Sequence, residues 1–164
     1  MKRILPLLLL IISLYGCNVK QPLSLECIAD SLHTKSAPAF YLEADIPIGA
    51  VLSASCDDGC CALYSHDDYE IYQEVFSAAS LDNALLHVSG QAALSAICTS
   101  NFPFEQYRFR WLCAGENGTT VCNAKLIFDG EYYHCLSIHC PMQLQTQYET
   151  VFSDLLSSAA IVSV

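Results

Sequence analysis

Fixed positive charge is scarce in this chain. Its 164 residues include 7 Lys and Arg against 17 Asp and Glu, which gives a formal net charge of −10. Because so acidic a chain is repelled by a phosphate backbone, we expect no nucleic-acid partner. The same shortage excludes a polybasic contact with an anionic membrane surface. Any attachment to a membrane must therefore use something other than charge.

The chain also lacks an apolar run of the roughly 20 residues that a membrane-spanning helix needs. The shorter run 4–14 follows Lys2 and Arg3 and is closed by Gly16-Cys17. Two cations, a short apolar stretch and a small residue before the cleavage point are typical of a secretory signal. The Gly-Cys ending resembles the lipobox of bacterial lipoproteins. That resemblance implies that residues 1–16 are a signal peptide and that Cys17 is lipidated and becomes the mature N-terminus.

This interpretation predicts a location and a net charge for the mature protein. We expect it on the extracytoplasmic face of the cell membrane, with the lipid at Cys17 as its contact with the bilayer. An ordinary secretory signal with a coincidental cysteine is the alternative. Removal of Lys2 and Arg3 takes the formal charge from −10 to −12.

Signatures of catalysis and of metal binding are missing as well. The chain has no Gly-x-Ser-x-Gly nucleophile elbow, no Cys-x-x-Cys redox pair and no calcium-loop spacing among its aspartates. Cysteine, in contrast, is abundant. Apart from Cys17, the chain contains Cys27, Cys56, Cys60, Cys61, Cys98, Cys113, Cys122, Cys135 and Cys140. Export permits disulfides, and the odd number of these cysteines leaves at least one thiol unpaired or bonded outside the chain.

The rest of the chain divides into a tether at 17–38, with a short strand-like stretch at Leu23–Cys27, and one domain at 39–164. Strands are predicted near 40–44, 50–55, 61–64, 69–76, 105–114, 119–128 and 131–139. One helix is predicted between an N-cap at Ser80 and a stop at Gly90, and another at 143–158 from its apolar periodicity. The pattern predicts an α+β fold: a mainly antiparallel sheet, with a meander of three C-terminal strands, and two helices packed on one face.

This order of elements, with the last helix directly after a hairpin, resembles that of small PsbP/DcrB-like exported domains. The likeness concerns the coarse topology of residues 40–160. It implies the fold alone and carries over no functional residue.

Two turn dipeptides allow strand registers to be predicted. Asn117-Gly118 and Asp129-Gly130 favour two-residue type I′ turns because both positions need positive φ. The first turn then places Cys113 opposite Cys122, close enough for a disulfide. Around Asp57-Asp58-Gly59, a two-residue turn pairs Cys56 with Cys61 and a three-residue loop pairs it with Cys60; we favour Cys61. Cys27 with Cys98 and Cys135 with Cys140 are the remaining pairings.

The same registers sort the side chains of the meander onto two faces. The predicted core face, against which we expect the C-terminal helix to pack, carries Phe109, Trp111, Cys113, Cys122, Ala124, Leu126, Phe128, Tyr133 and Cys135. The other face carries the basic residues, with Arg110, Lys125 and His134 in one row across three strands and Arg108 beside them. Like charges that lie together suggest an anion-binding site with arginine as the donor. The alternative is that these cations pair with the protein's own carboxylates.

These observations favour a non-catalytic module of the cell envelope that binds a protein or a small anionic ligand, with no cofactor. One alternative is a zinc-handling lipoprotein. Its candidate ligands are His134, Cys135, His139 and Cys140 together with Cys56, Cys60 and Cys61, although His134 and His139 point to opposite faces of a strand. Another alternative is an envelope enzyme, which would need a cleft that contains His134, His139 or a cysteine with a shifted pKa.

Overall fold

A computed structural model describes residues 40–57, 59–115 and 118–163. The predicted signal peptide 1–16, the lipidation site Cys17, the tether 17–38 and Cys27 lie outside these residues. The strands are β1 Phe40–Glu43, β2 Val51–Ser55, β3 Cys61–Ser65, β4 Glu70–Phe76, β5 Ile97–Ser100, β6 Glu105–Gly115, β7 Gly118–Phe128, β8 Tyr133–Pro141 and β9 Ala160–Ser163. The helices are α1 Leu81–Ser89 and α2 Gln145–Ser158, the latter preceded by a 3₁₀ turn at Met142–Leu144.

Seven strands form one antiparallel sheet in the order β2-β3-β4-β8-β7-β6-β5, and β1 pairs with β9 in a separate two-stranded sheet. The predicted α+β class and the meander of β6, β7 and β8 are confirmed. The sheet is wider than that meander because β4 joins β8 along seven residue pairs and brings β3 and β2 with it. Strands β5 and β9, of four residues each, were not predicted.

Helix α1 begins and ends where its sequence predicts. The Ser80 hydroxyl accepts a hydrogen bond from the Asn83 N–H at 3.3 Å. Gly90 has φ of 66°, a left-handed conformation that glycine adopts at little cost, and its N–H bonds the Leu86 carbonyl. Helix α2 has neither device: Leu144 stands at its N-cap position without a side-chain cap, and Ala159 at its C-cap has φ of −58°.

The two helices pack on opposite faces of the large sheet, which corrects the prediction that both lie on one face. The cluster around Phe109 and Trp111 contains Ala84 and Leu85 of α1. Helix α2 contributes Phe152, Leu155 and Leu156 to a second cluster with Ile71, Leu136, Ile138 and Cys140. The face predicted to be the core is therefore buried as expected, but by α1. The face predicted to be the outer one is covered by α2 and is a core as well.

Both predicted registers differ from the structure by two residues. Gly115 pairs with Gly118, so that Cys122 lies opposite Trp111 and Cys113 opposite Thr120. At the next turn Phe128 pairs with Tyr133. The Asp129 Oδ1 atom accepts hydrogen bonds from the N–H groups of Glu131 and Tyr132, which stabilises a four-residue loop in place of a tight turn. A shift of two residues keeps every side chain on its predicted face.

Candidate functional site

The predicted row of basic side chains is not formed. With the observed register, Lys125 lies opposite Arg108 on β6 and opposite Leu136 on β8, whereas His134 lies opposite Ile127. Arg110 pairs with Asn123. These partners correct the predicted neighbours of all four anion-binding candidates.

Arg108, Arg110 and Lys125 instead form hydrogen bonds with helix α2 or its C-cap residue. The Lys125 Nζ donates to the Ala159 carbonyl at 2.6 Å, and the lysine is only 7% exposed. Burial, and then the nearby Arg108, lower the pKa of Lys125. Arg108 donates to the Ser157 hydroxyl at 3.0 Å and Arg110 donates to the Gln145 side-chain oxygen. All the acceptors are neutral, and within the described ranges none of these cations has a carboxylate within ion-pair distance.

His134 is fully buried rather than exposed. Its Nε2 lies 2.8 Å from the Asp129 Oδ2, and the aspartate side chain is only 4% exposed. Burial by itself raises the pKa of Asp129, but the hydrogen bonds from His134 and from the Tyr132 and Glu131 N–H groups outweigh it, and the net shift is downward. The pair therefore closes the β7–β8 loop. It offers no free imidazole to a ligand.

The cysteines follow the sequence prediction in one pair and depart from it in others. Cys56 and Cys61 form a disulfide with their Cα atoms 5.3 Å apart. Cys113 and Cys122 are thiols whose sulfurs lie 3.8 Å apart, because the observed register makes them diagonal neighbours rather than direct partners. A disulfide has its sulfurs about 2.05 Å apart.

The pairing of Cys135 with Cys140 is wrong. Both are buried thiols, and they belong to the clusters on opposite faces of β8. Cysteines five positions apart on one strand point away from each other, so they cannot approach to bonding distance.

A groove of about 430 Å³ is the candidate functional site. It opens at one end of the large sheet, between the β3–β4 turn and the tip of the β6–β7 hairpin. Its lining comprises His66, Asp67, Asp68, Tyr69, Glu70, Cys113, Gly118, Thr119, Thr120, His139 and Pro141. Concave sites with a few convergent polar groups are the usual place for ligands.

One wall of the groove is acidic. Asp67 and Glu70 are exposed at the β3–β4 turn. Asp68 is tied down from two sides, since its N–H donates to His66 Nδ1 at 3.2 Å and its carboxylate accepts a hydrogen bond from the Tyr148 hydroxyl of α2. This wall is therefore fixed to α2. Asp67 and Glu70 stay exposed, and the Glu70 carboxylate also accepts a hydrogen bond from the Tyr72 hydroxyl at 2.6 Å.

The other wall carries an uncharged histidine. Burial lowers the pKa of His139 to about 4, so its ring is neutral at pH 7. Its Nε2 lies 3.2 Å from the Ser137 hydroxyl, and the ring contacts those of Tyr72 and Trp111. A histidine with so low a pKa is a weak general base. Burial, with a smaller effect from Cys113, also raises the pKa of the nearby Cys122 thiol, which keeps that thiol protonated and unreactive.

The metal-binding alternative finds no ligand set in the described part of the chain. No group of three or more His, Cys, Asp or Glu side chains is arranged there to hold a metal ion. Cys56 and Cys61 are used by their disulfide, and His134 and His139 lie on opposite faces of β8.

Sequence reasoning singled out His139 but missed the groove. The residues that line it come from the β3–β4 turn, the β6–β7 hairpin and the end of β8, which only the sheet order brings together. The one available signal was the acidic pair Asp67-Asp68, whose spacing does not fit a calcium loop.

No protein-family model and no curated protein sequence matches this chain. Among solved structures, the solution structure of cyanobacterial PsbP (CyanoP) from Synechocystis has a TM-score of 0.53 and 10% identity, and the match covers 79% of this chain and 95% of that one. The crystal structure of LpqN, a protein involved in cell envelope biogenesis of Mycobacterium tuberculosis, has a TM-score of 0.52 and 8% identity over 84% and 95%. At these identities the likeness shows the fold, and it confirms the predicted resemblance to PsbP at that level.

Among the described helices, none is long and apolar enough to cross a membrane.

Proposed function

We propose that this protein is a lipid-tethered, non-catalytic binding domain of the cell envelope, and that it binds a basic segment of a protein partner in the groove. The sequence from Lys2 to Cys17 supports the lipid tether. The PsbP-like fold, which is shared with a protein involved in envelope biogenesis, agrees with such a location. One observation carries the choice of ligand: two exposed carboxylates, Asp67 and Glu70, line this groove.

The chemistry of the groove favours binding over catalysis. His139, which lines the groove, is neutral near pH 7 and is a weak general base. The exposed Thr119 and the half-buried Thr120 also line the groove and bring hydroxyl groups to it. Hydroxyls and carboxylates are suited to ammonium and guanidinium groups, which carry only donors.

This proposal replaces a small anion with a basic peptide as the ligand. The sequence predicted an anion site at Arg108, Arg110, Lys125 and His134. In the structure the first three hold α2 and His134 bonds Asp129. A ligand at that surface would have to displace α2 contacts, whereas the groove is open.

Photo-crosslinking in intact cells tests the binding site. A photoreactive amino acid in place of Thr119 should give a crosslinked partner, and Asp67→Asn with Glu70→Gln should abolish that product by removing both exposed carboxylates. Asp82→Asn is the matched control because Asp82 is an exposed carboxylate of α1 that does not line the groove. Equal crosslinking in all three backgrounds would contradict the site. Intact mass of the membrane-extracted protein tests the tether separately, since a chain that starts at Cys17 must carry the mass of a lipid.

A further inference from the structure

Two thiols lie side by side at the groove. Cys113 is half-buried and lines the groove, whereas Cys122 is fully buried. The Cys122 thiol donates a hydrogen bond to the Cys113 sulfur, and the two sulfurs are 3.8 Å apart. One thiol of the pair is therefore open to solutes in the groove, and the other is shielded from them.

The pair lies near the end of the β6–β7 hairpin. Cys113 and Cys122 are diagonal neighbours on one face of the two strands, and Cys113 is two residue pairs from Gly115 and Gly118, at which the ladder ends. A disulfide requires the sulfurs to approach by about 1.8 Å. A Cβ atom at Gly118 would meet nothing within 4 Å, so open space at this end of the hairpin leaves room for that movement.

The other thiols lack this combination of access and a neighbouring sulfur. Cys135 and Cys140 are buried in clusters on opposite faces of β8, out of reach of an oxidant in solution. Cys98 is exposed, but its sulfur contacts only oxygen atoms. Among the described thiols, Cys113 is therefore the one that is both accessible and next to a second thiol, which is the arrangement of redox-sensitive cysteines.

We propose that Cys113 and Cys122 are a thiol–disulfide exchange site, at which a disulfide oxidant reacts with Cys113 and the pair then closes to a disulfide. The Cys113 thiolate attacks one sulfur of the oxidant, whose S–S bond breaks, and a mixed disulfide forms as one thiolate leaves. The Cys122 sulfur then attacks the Cys113 sulfur, the mixed disulfide breaks, and the Cys122 proton passes to the second departing thiolate. The two cysteines lose two electrons and two protons, and the oxidant is reduced to two thiols.

The two positions fit these two roles. Burial raises the pKa of Cys122 and keeps it a thiol away from the oxidant, so the first attack falls to Cys113. In the mixed disulfide the adjacent Cys122 reacts within the same molecule, which needs no further encounter with a solute. Export supplies disulfide oxidants, and in this one respect the inference rests on the envelope location of the proposed function.

The disulfide would join the two strands of the hairpin that forms one wall of the groove. Thr119 and Thr120 line the groove between the two cysteines in the sequence, so the bond should restrict this wall. We expect faster amide hydrogen exchange at 119–121 in Cys113→Ser than in the oxidised wild type, and equal exchange in Val51–Ser55 of β2. Equal exchange at 119–121 would contradict this effect on the wall.

Peptide mass after treatment with a small disulfide tests the exchange. Trypsin cleaves after Arg110 and Lys125 and releases residues 111–125, whose only cysteines are Cys113 and Cys122. The purified full chain is reduced, freed of reductant, treated with cystamine, quenched with acid, alkylated and digested. Cystamine is a disulfide with two ammonium groups, which are compatible with the acidic wall of the groove. In the wild type we expect this peptide to be two hydrogens lighter than its dithiol form, with neither cysteamine nor an alkyl group attached.

Two variants separate the roles of the cysteines. In Cys122→Ala, Cys113 should keep a cysteamine group because no second thiol releases it. In Cys113→Ser, Cys122 should remain a thiol. Cys135→Ala is the matched control, since it removes a buried thiol of the same cluster as Cys122, and it should behave as the wild type.

Three results would overturn the exchange site. They are an unmodified dithiol peptide in the treated wild type, cysteamine retained on Cys113 in the wild type, and a bond from Cys113 to a cysteine other than Cys122. These measurements involve neither a protein partner nor a lipid, so their failure is distinct from a failure of the proposed function.

Discussion

Helices α1 and α2 cover opposite faces of the same sheet, and their ends are stabilised in different ways. Helix α1 has a serine N-cap and a left-handed glycine at its C-terminal end, both contributed by residues next to it in the sequence. Helix α2 lacks both devices. The carbonyl of its C-cap residue Ala159 accepts a hydrogen bond from Lys125 of β7. Arg108 and Arg110 of β6 donate to the side chains of Ser157 and Gln145 in the helix.

The few fixed positive charges of the described residues are all used at helix α2. The described residues contain three fixed cations, and all three contact α2 or its C-cap residue. The C-terminal end of a helix carries partial negative charge, which favours Arg108 and Lys125 at that end, whereas Arg110 bonds the side chain of Gln145 at the N-terminal end. Local sequence therefore stabilises the ends of α1, while distant strands stabilise those of α2. Two changes should separate these two mechanisms, and a third tests a buried pair on the face that α2 covers.

The largest expected effect comes from the buried pair of Asp129 and His134, on the face that α2 covers. We expect Asp129→Asn to lower the free energy of unfolding by about 3 kcal/mol at pH 7, because it removes the charged partner of a buried histidine. The folded-state pKa of Asp129 is lowered, so its stabilisation is present above the unfolded pKa of about 3.9 and is lost as the pH falls through the folded value.

Urea denaturation between pH 7 and pH 3 measures both effects. Wild-type stability should fall steeply below pH 4, and the variant should show a shallower fall. The exposed Asp82→Asn serves as the control, with little change at pH 7. Parallel pH profiles for wild type and Asp129→Asn would show that this pair does not contribute the acid sensitivity.

A smaller effect is expected at the C-terminal end of α2. Lys125→Met keeps the length of the buried side chain but removes its hydrogen bond to the Ala159 carbonyl. We expect a loss of about 1.5 kcal/mol, near the lower end for hydrogen bonds to charged groups, because relief from Arg108 offsets part of it. Hydrogen exchange should show faster exchange at the end of α2 and unchanged exchange in α1. Equal acceleration in both helices would contradict the distinction between them.

The smallest effect is expected at the locally coded cap. Ser80→Ala removes the acceptor for the Asn83 N–H and should cost about 1 kcal/mol. Ser80→Asp should restore most of that stability, because aspartate is also a strong N-cap. Thermal unfolding of the three proteins measures the difference. If both substitutions destabilise the protein equally, the hydroxyl of Ser80 does not act as a cap.

Much of the fold was predictable from sequence because it depends on short-range chemistry. Ser80 and Gly90 mark α1, the alternation around Phe109 and Trp111 identifies a buried face, and the apolar spacing in 143–158 identifies α2. The Cys56–Cys61 disulfide follows in the same way from a short turn. The candidate site was far less accessible: His139 was singled out, but its neighbours in the groove were not.

The sequence by itself determined seven of the nine described strands, both helices and the face on which each meander side chain lies, because these depend on neighbouring residues and on the helical and strand periods. Tertiary structure alone decided the register, the face that each helix covers and the groove. A shift by two residues leaves the alternation unchanged, so the pattern cannot distinguish the two registers. The Asp129 hydrogen bonds and the contact of Lys125 with the C-cap residue of α2 favour the observed registers. These registers make Cys113 and Cys122 diagonal neighbours and keep His134 apart from the arginines.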